Sequence, residues 1–158
     1  MDKSALRAAV VRQLEADLAL QTTAALTSRD EATHEESKAE NRYDMHAQEA
    51  AYLAEGQARL VAELRANIAQ VASMPLAPFG ASDPIAVGAL VTLTDAEGGS
   101  SQLLIGPRAG GVEVEIDGAH ILVVTPASPL GRQLLGRRAG DSVPSQGRGG
   151  PQRIARVS

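Results

Sequence analysis

An α+β protein of two domains is what this sequence predicts: a helical hairpin followed by a mostly antiparallel sheet carrying one helix. Three observations lead there. Helix-period hydrophobic stripes occupy the first half, a stretch with three prolines interrupts them at 74–84, and strand-period runs separated by turn signals fill the rest. The expected boundaries are a coiled-coil hairpin over 1–74 with an acidic tip at 33–44, a linker at 75–84, and a sheet domain over 85–158.

Composition narrows the class. A chain of 158 residues makes one ordinary domain or two small ones. Much of its apolar content is alanine, and Tyr43, Tyr52 and Phe79 are the only aromatic residues. Such a composition suits narrow helix-on-helix packing better than a large globular core. With no cysteine, disulfides and thiolate metal ligation are excluded. The first residues, MDKSALRAAVVRQLEADLA, carry a charge every few positions, so neither a signal peptide nor a membrane span is expected there. The expectation is a soluble, cytoplasmic monomer with no membrane partner. A net charge of −4 argues against broad, phosphate-driven nucleic-acid binding. The charge is uneven: residues 31–55 are acidic with only Lys38 and Arg42 opposing, whereas six arginines after Gly131 face a single Asp141. That asymmetry suits a molecule docking in one orientation. Solvated charge is the plain alternative.

The first helix is expected over 5–29. Ser4 is its candidate cap, and Val11, Leu14, Leu18, Gln21, Ala25 and Ser28 recur at spacings of three and four. The second, over 44–72, gives the series Ala50, Leu53, Gln57, Leu60, Leu64, Asn67 and Val71. Two such stripes joined by a short polar turn fit an antiparallel coiled coil. A helix of about 30 residues is about 45 Å long.

Beyond the prolines, strands are expected at 85–94, 101–105, 112–116 and 120–124. Asp95-Ala-Glu-Gly-Gly and Asp117-Gly118 supply hairpin turns. Ser128 then caps a short helix that begins at Pro129 and ends at Gly136. Strands at 138–143 and 152–157, flanking a Gly-rich loop at 145–150, complete the sheet.

Few motifs carry chemistry. His34-Glu35-Glu36 begins like a zinc-protease helix, but Lys38 occupies the second histidine's place, and His46 and His120 lack ligand spacing. The turn Gly106-Pro-Arg-Ala-Gly-Gly lacks the Lys-Ser/Thr of a phosphate loop. No Ser-His-Asp set assembles, and the sheet domain has no aromatic residue with which to line an apolar ligand pocket. What remains is the tip, where Glu35, Glu36, Glu40 and Asp44 cluster. Exposed carboxylates can present a Mg²⁺ ion that another active site half-holds, as in two-metal phosphoryl transfer. Equally, Ser37-Lys-Ala-Glu40 and Thr33–Glu36 have capping-box spacing.

The chain resembles the bacterial GreA/GreB transcript cleavage factors. In the sheet domain the carriers are Val87-Gly88 with VTLTD, Ile105-Gly106-Pro107, and SPLGRQLLGRRAGDSV at 128–143, which is similar to the family's SPLARALLGKKVGDEV almost position for position. Glu40-Asn41 and Ala47-Gln48-Glu49 through Gly56 resemble its helical half. The resemblance implies an FKBP-like second domain resting on RNA polymerase at the rim of its secondary channel. It implies a hairpin threaded toward the active site, acting on the nascent RNA 3′ end only indirectly. By position, Ser128, Pro129 and Leu130 become polymerase contacts. Glu40, helped by Glu36, becomes the tip acid that assists the polymerase in holding Mg²⁺. No tightly bound cofactor and no intrinsic enzyme activity are implied. Ser37 stands in the family's aspartate slot, with Lys38 beside it. Two actions follow: stimulated cleavage of backtracked RNA, or non-cleaving competition with genuine cleavage factors. A coiled-coil adaptor for an unrelated protein is the rival class.

Overall fold

The computed structural model describes residues 2–36, 45–80, 82–144 and 150–158, apart from the side chains of 28, 31–36, 45–48, 50 and 51. It is a mixed α+β protein with an N-terminal helical hairpin and a six-stranded sheet. Contacts divide it into two units, Met1–Gln13 with Ala69–Ser158, and Leu14–Ile68.

The hairpin helices are α1 (Lys3–Glu36) and α2 (Met45–Ala72). The cap of α1 is Asp2 rather than the expected Ser4. The Asp2 carboxylate accepts from the Ser4 amide at 2.8 Å and from its hydroxyl at 2.8 and 2.7 Å, and the Leu6 amide donates to the Asp2 carbonyl. A carboxylate at that position answers both an orphan amide and the positive helix end. At its other end α1 runs past the expected stop at Arg29. Residues 30–36 contain neither Gly nor Pro, and their Glu and Ala favour helix. Thr33 therefore lies inside α1 and not at a helix start.

The seam of α2 also differs from expectation. Leu53 is 56% exposed and Leu60 39%, while Gln57, Leu64 and Asn67 of the expected series are half-buried and Val71 is buried; Ala54, Val61 and Ile68 are half-buried as well. Both series alternate three and four and share Gln57, Leu64 and Val71, but the smaller Ala54 and Val61 are sheltered where Leu53 and Leu60 are exposed. On α1 the expected stripe holds, with Leu14 buried and Val11, Leu18, Gln21 and Ala25 half-buried.

In the other unit the strands are β1 (Leu90–Thr94), β2 (Ser100–Ile105), β3 (Glu113–Ile116), β4 (Ala119–Val124), β5 (Ser142–Val143) and β6 (Gln152–Val157). Their order is β3-β4-β2-β1-β6-β5, antiparallel throughout except for the parallel pair β2 and β4. The expected strand at 85–94 is shortened, because Gly88 at φ 92° turns the chain ahead of β1. The strand at 138–143 shrinks to β5, because 138–141 forms a turn in which the Asp141 carboxylate accepts from the Arg138 amide. Asp117 and Gly118 both adopt positive φ, 52° and 74°, as the β3–β4 hairpin turn requires.

One face of the sheet holds a core of Val91, Leu93, Leu103, Ile105, Val124, Ile154 and Val157, covered by Leu134 of the short helix α3 (Pro129–Leu134). Ile154 and Val157 are three apart and would face opposite sides of a regular strand. A bulge resolves this: Val91 pairs with Val157 and Thr92 with Arg156, but Leu93 pairs with Ile154, leaving Ala155 extra. Arg156 is thereby sent to the opposite face. There Leu90, Leu104, Ile121 and Val123 are also buried. Leu6, Val10, Val71 and Met74 are buried as well. The Lys3 ammonium donates to the carbonyls of Ala77 and Gly88 and lies 4.6 Å from the centre of the Phe79 ring, and Arg7 donates to the Met74 carbonyl. The first turns of α1 are tied in this way to the linker. Partial burial holds the Lys3 pKa below the ordinary lysine value.

Candidate functional site

The expected site residues form two groups. Of the tip acids, Glu36 is the last residue of α1, with its side chain outside the described residues; Glu40 lies wholly outside them. Among the described residues there is no group of three or more potential metal ligands, and no charged or polar side chain is fully buried. No helix among them is long and apolar enough to cross a membrane.

The second group, Ser128, Pro129 and Leu130, is assembled at the start of α3. Ser128 takes the extended backbone of an N-cap, φ −70° and ψ 156°. Its hydroxyl accepts from the Gly131 amide at 3.0 Å and donates to the Thr125 carbonyl at 2.8 Å. The proton and one lone pair of the hydroxyl are thus used inside the protein, and Ser128 fixes the start of α3. Pro129 follows at the first helical position, where its missing N–H costs nothing and its fixed φ suits the helix. Its ring is exposed. Leu130 is half-buried and packs against the core. With Leu93, Leu103 and Leu122 it lines a depression of about 330 Å³ that Glu113 and His120 also border. His120 stands directly opposite Glu115 across the β3–β4 ladder.

Two contributors escaped sequence reasoning. Gly131 lets α3 approach the chain before it, since a β-carbon there would lie 1.9 Å from the Thr125 carbonyl oxygen. The other is the tether at the far end of α3, where the Gly136 amide donates to the Ile85 carbonyl and the Ile85 amide to the Arg137 carbonyl, at 2.9 and 2.8 Å. Gly131 could have been suspected as a glycine inside a helix where alanine has the better propensity. Nothing local signals the tether. The result is a short helix fixed at both ends that presents a rigid proline and an apolar side chain beside a shallow depression. Such a surface can seat an apolar side chain from a protein partner.

No protein-family model matches the chain, and no curated relative matches it by sequence. Among solved structures it is similar to the transcription factor Gfh1, at 18% identity over 94% of this chain and 93% of that one, with a TM-score of 0.39. GreA factor homolog 1 of Thermus thermophilus gives 18% identity over 95% of each chain and a TM-score of 0.40. Thermus aquaticus Gfh1 gives 19% over 94% of each, with a TM-score of 0.37.

Proposed function

We propose that this chain is a divergent GreA/GreB-like regulator of bacterial RNA polymerase, an accessory factor without catalysis of its own. The observation that carries the reading is the segment 128–143. Its sequence is similar to the family's signature, and it folds as a capped helix with Pro129 exposed and Leu130 beside a depression. In this reading the sheet unit, of FKBP-like type, binds the polymerase through Ser128, Pro129 and Leu130 at the rim of the secondary channel. The hairpin carries Glu40, with Glu36, toward the active site. There the carboxylates help the polymerase hold a Mg²⁺ ion during hydrolysis of backtracked RNA.

Ser37 in the aspartate slot, with Lys38 adjacent, favours a second form of the same reading. That form occupies the channel and competes with cleavage factors without stimulating cleavage. Coordination of a catalytic ion tolerates little misplacement, and Glu35 or Glu36 would have to reach from a neighbouring position.

A stalled, backtracked elongation complex tests both forms. Release of an RNA 3′ fragment with the wild-type chain, and its loss in Glu40→Ala, establishes stimulated cleavage. No fragment, with inhibition of a genuine cleavage factor, establishes the competing form. Failure to retain polymerase in a pull-down, with another protein recovered instead, overturns both in favour of a coiled-coil adaptor.

A further inference from the structure

We propose that the recess between the linker and the sheet face opposite α3 binds a short extended peptide of about three residues through its terminal carboxylate and ammonium groups. The recess has a volume of about 580 Å³, within the range of small-ligand sites. One wall is apolar, supplied by Leu76, Pro78 and Phe79 of the linker and Leu90 of β1. The floor is a cross-strand row in which Arg156 stands opposite Thr92 and Thr92 opposite Gln102. Asp117, in the turn that leads into β4, borders it together with Ala119 and Ser158.

The charges decide what fits. Lys3 also lines the recess, but its ammonium is committed to the Ala77 and Gly88 carbonyls and to the Phe79 ring. The side chains of Arg156 and Asp117 are exposed and have no hydrogen-bond or ion-pair partner among the described residues. Of the side chains, one guanidinium and one carboxylate therefore remain for a ligand, borne by β6 and by the turn before β4. Three steps of the sheet separate those strands, about 14 Å at about 4.8 Å per step. Three extended peptide residues span about 10 Å, and the two side chains close the remainder. A small inorganic anion would leave Asp117 unmatched. A purely apolar chain would leave both charges and the Thr92 and Gln102 side chains unmatched, whereas peptide amides and carbonyls can hydrogen-bond to that row. A guanidinium is also the group best shaped to hold a carboxylate.

The test is calorimetric titration of the whole chain, with no polymerase present, using Ala-Leu-Ala as the free zwitterion, as its C-terminal amide, and as its N-acetylated form. Saturable binding of the zwitterion is expected, at least tenfold weaker for each blocked form. Arg156→Gln should weaken the zwitterion at least tenfold and leave the amide unaffected. Arg156 is exposed on its strand, so a far-UV spectrum matching the wild type confirms that the variant is folded. Amide resonances of Thr92 and Gln102 should shift on titration. No saturation at millimolar peptide, equal binding of either blocked form, or wild-type affinity in Arg156→Gln overturns the proposal. None of these results depends on whether the chain binds polymerase.

Discussion

The carbonyl oxygen of Thr125 occupies the place where residue 131 would carry a β-carbon, so a side chain on Gly131 would collide with it. The obstacle is backbone, and it is held there by the Ser128 hydroxyl that donates to the same oxygen. Relief must come from moving α3 or from breaking its cap. Gly131→Ala should therefore destabilise the sheet unit by about 3 kcal/mol, although alanine is the better helix former. Ser128→Ala, which removes the cap and leaves the spacing intact, should cost about 1 kcal/mol. Urea denaturation of the two variants checks the order, and an alanine at 131 as stable as wild type would disprove the close approach.

Asp2 gives a prediction in pH. Hydrogen bonds from the Ser4 side chain and amide hold its carboxyl pKa below the ordinary value of 3.8. A carboxyl whose pKa is lower folded than unfolded contributes stability that is present above the unfolded pKa and is lost as pH falls through the folded one. An NMR titration of the Asp2 carboxyl carbon should give a midpoint below 3.8. In Asp2→Asn the amide oxygen still caps but does not titrate. The stability gap between wild type and this variant should therefore narrow as the solution is taken below pH 4. A gap that stays constant would show that the carboxylate is not the cap.

The seam of α2 separates two readings of one sequence. Leu53 and Leu60 have the larger side chains, yet they are the exposed pair. Leu53→Ser should change stability by no more than about 0.5 kcal/mol, as for other exposed positions. Leu64→Ala, at a sheltered position common to both series, should cost about 1–2 kcal/mol, below the fully buried range because Leu64 keeps some exposure. Thermal unfolding followed at 222 nm checks this. A larger loss from Leu53→Ser than from Leu64→Ala would put the seam back in its other phase.

These cases show which parts of the fold were legible. Asp117-Gly118 and Ser128-Pro129 are short-range devices: each needs a backbone angle or a cap that only a few residue types supply, so the turn and the start of α3 could be read directly. The phase of α2 could not, because Gln57, Leu64 and Val71 belong to both alternations, and a helical stripe of spacing three and four fits either. The parallel pairing of β2 with β4 was hidden for a similar reason, since hydrophobic alternation identifies a strand without naming its neighbour. The Ala155 bulge was hidden too. Alternation alone puts Ile154 and Val157 on opposite faces, and only their common core reveals the extra residue. Of the candidate site, Ser128, Pro129 and Leu130 were identified by family likeness, whereas the fit of Gly131 against Thr125 exists only in three dimensions.

Pro129 offers the sharpest separation of partner binding from folding. It occupies the first helical position, is exposed, and has no N–H to lose. A glutamate there places a negative charge at the positive end of a helix, which is favourable or neutral for folding. It also sets that charge beside Leu130 and the depression where an apolar side chain of the polymerase would be seated. Pro129→Glu should therefore unfold at the same urea concentration as wild type, to within about 0.5 kcal/mol. Its affinity for immobilised RNA polymerase should fall at least tenfold, the equivalent of about 1.4 kcal/mol. Leu130→Ala should lose on both counts, because that side chain packs against the core and, in the proposed reading, also meets the polymerase. Equal polymerase binding by wild type and Pro129→Glu would remove this corner of α3 from the interface, whatever the tip acids prove to do.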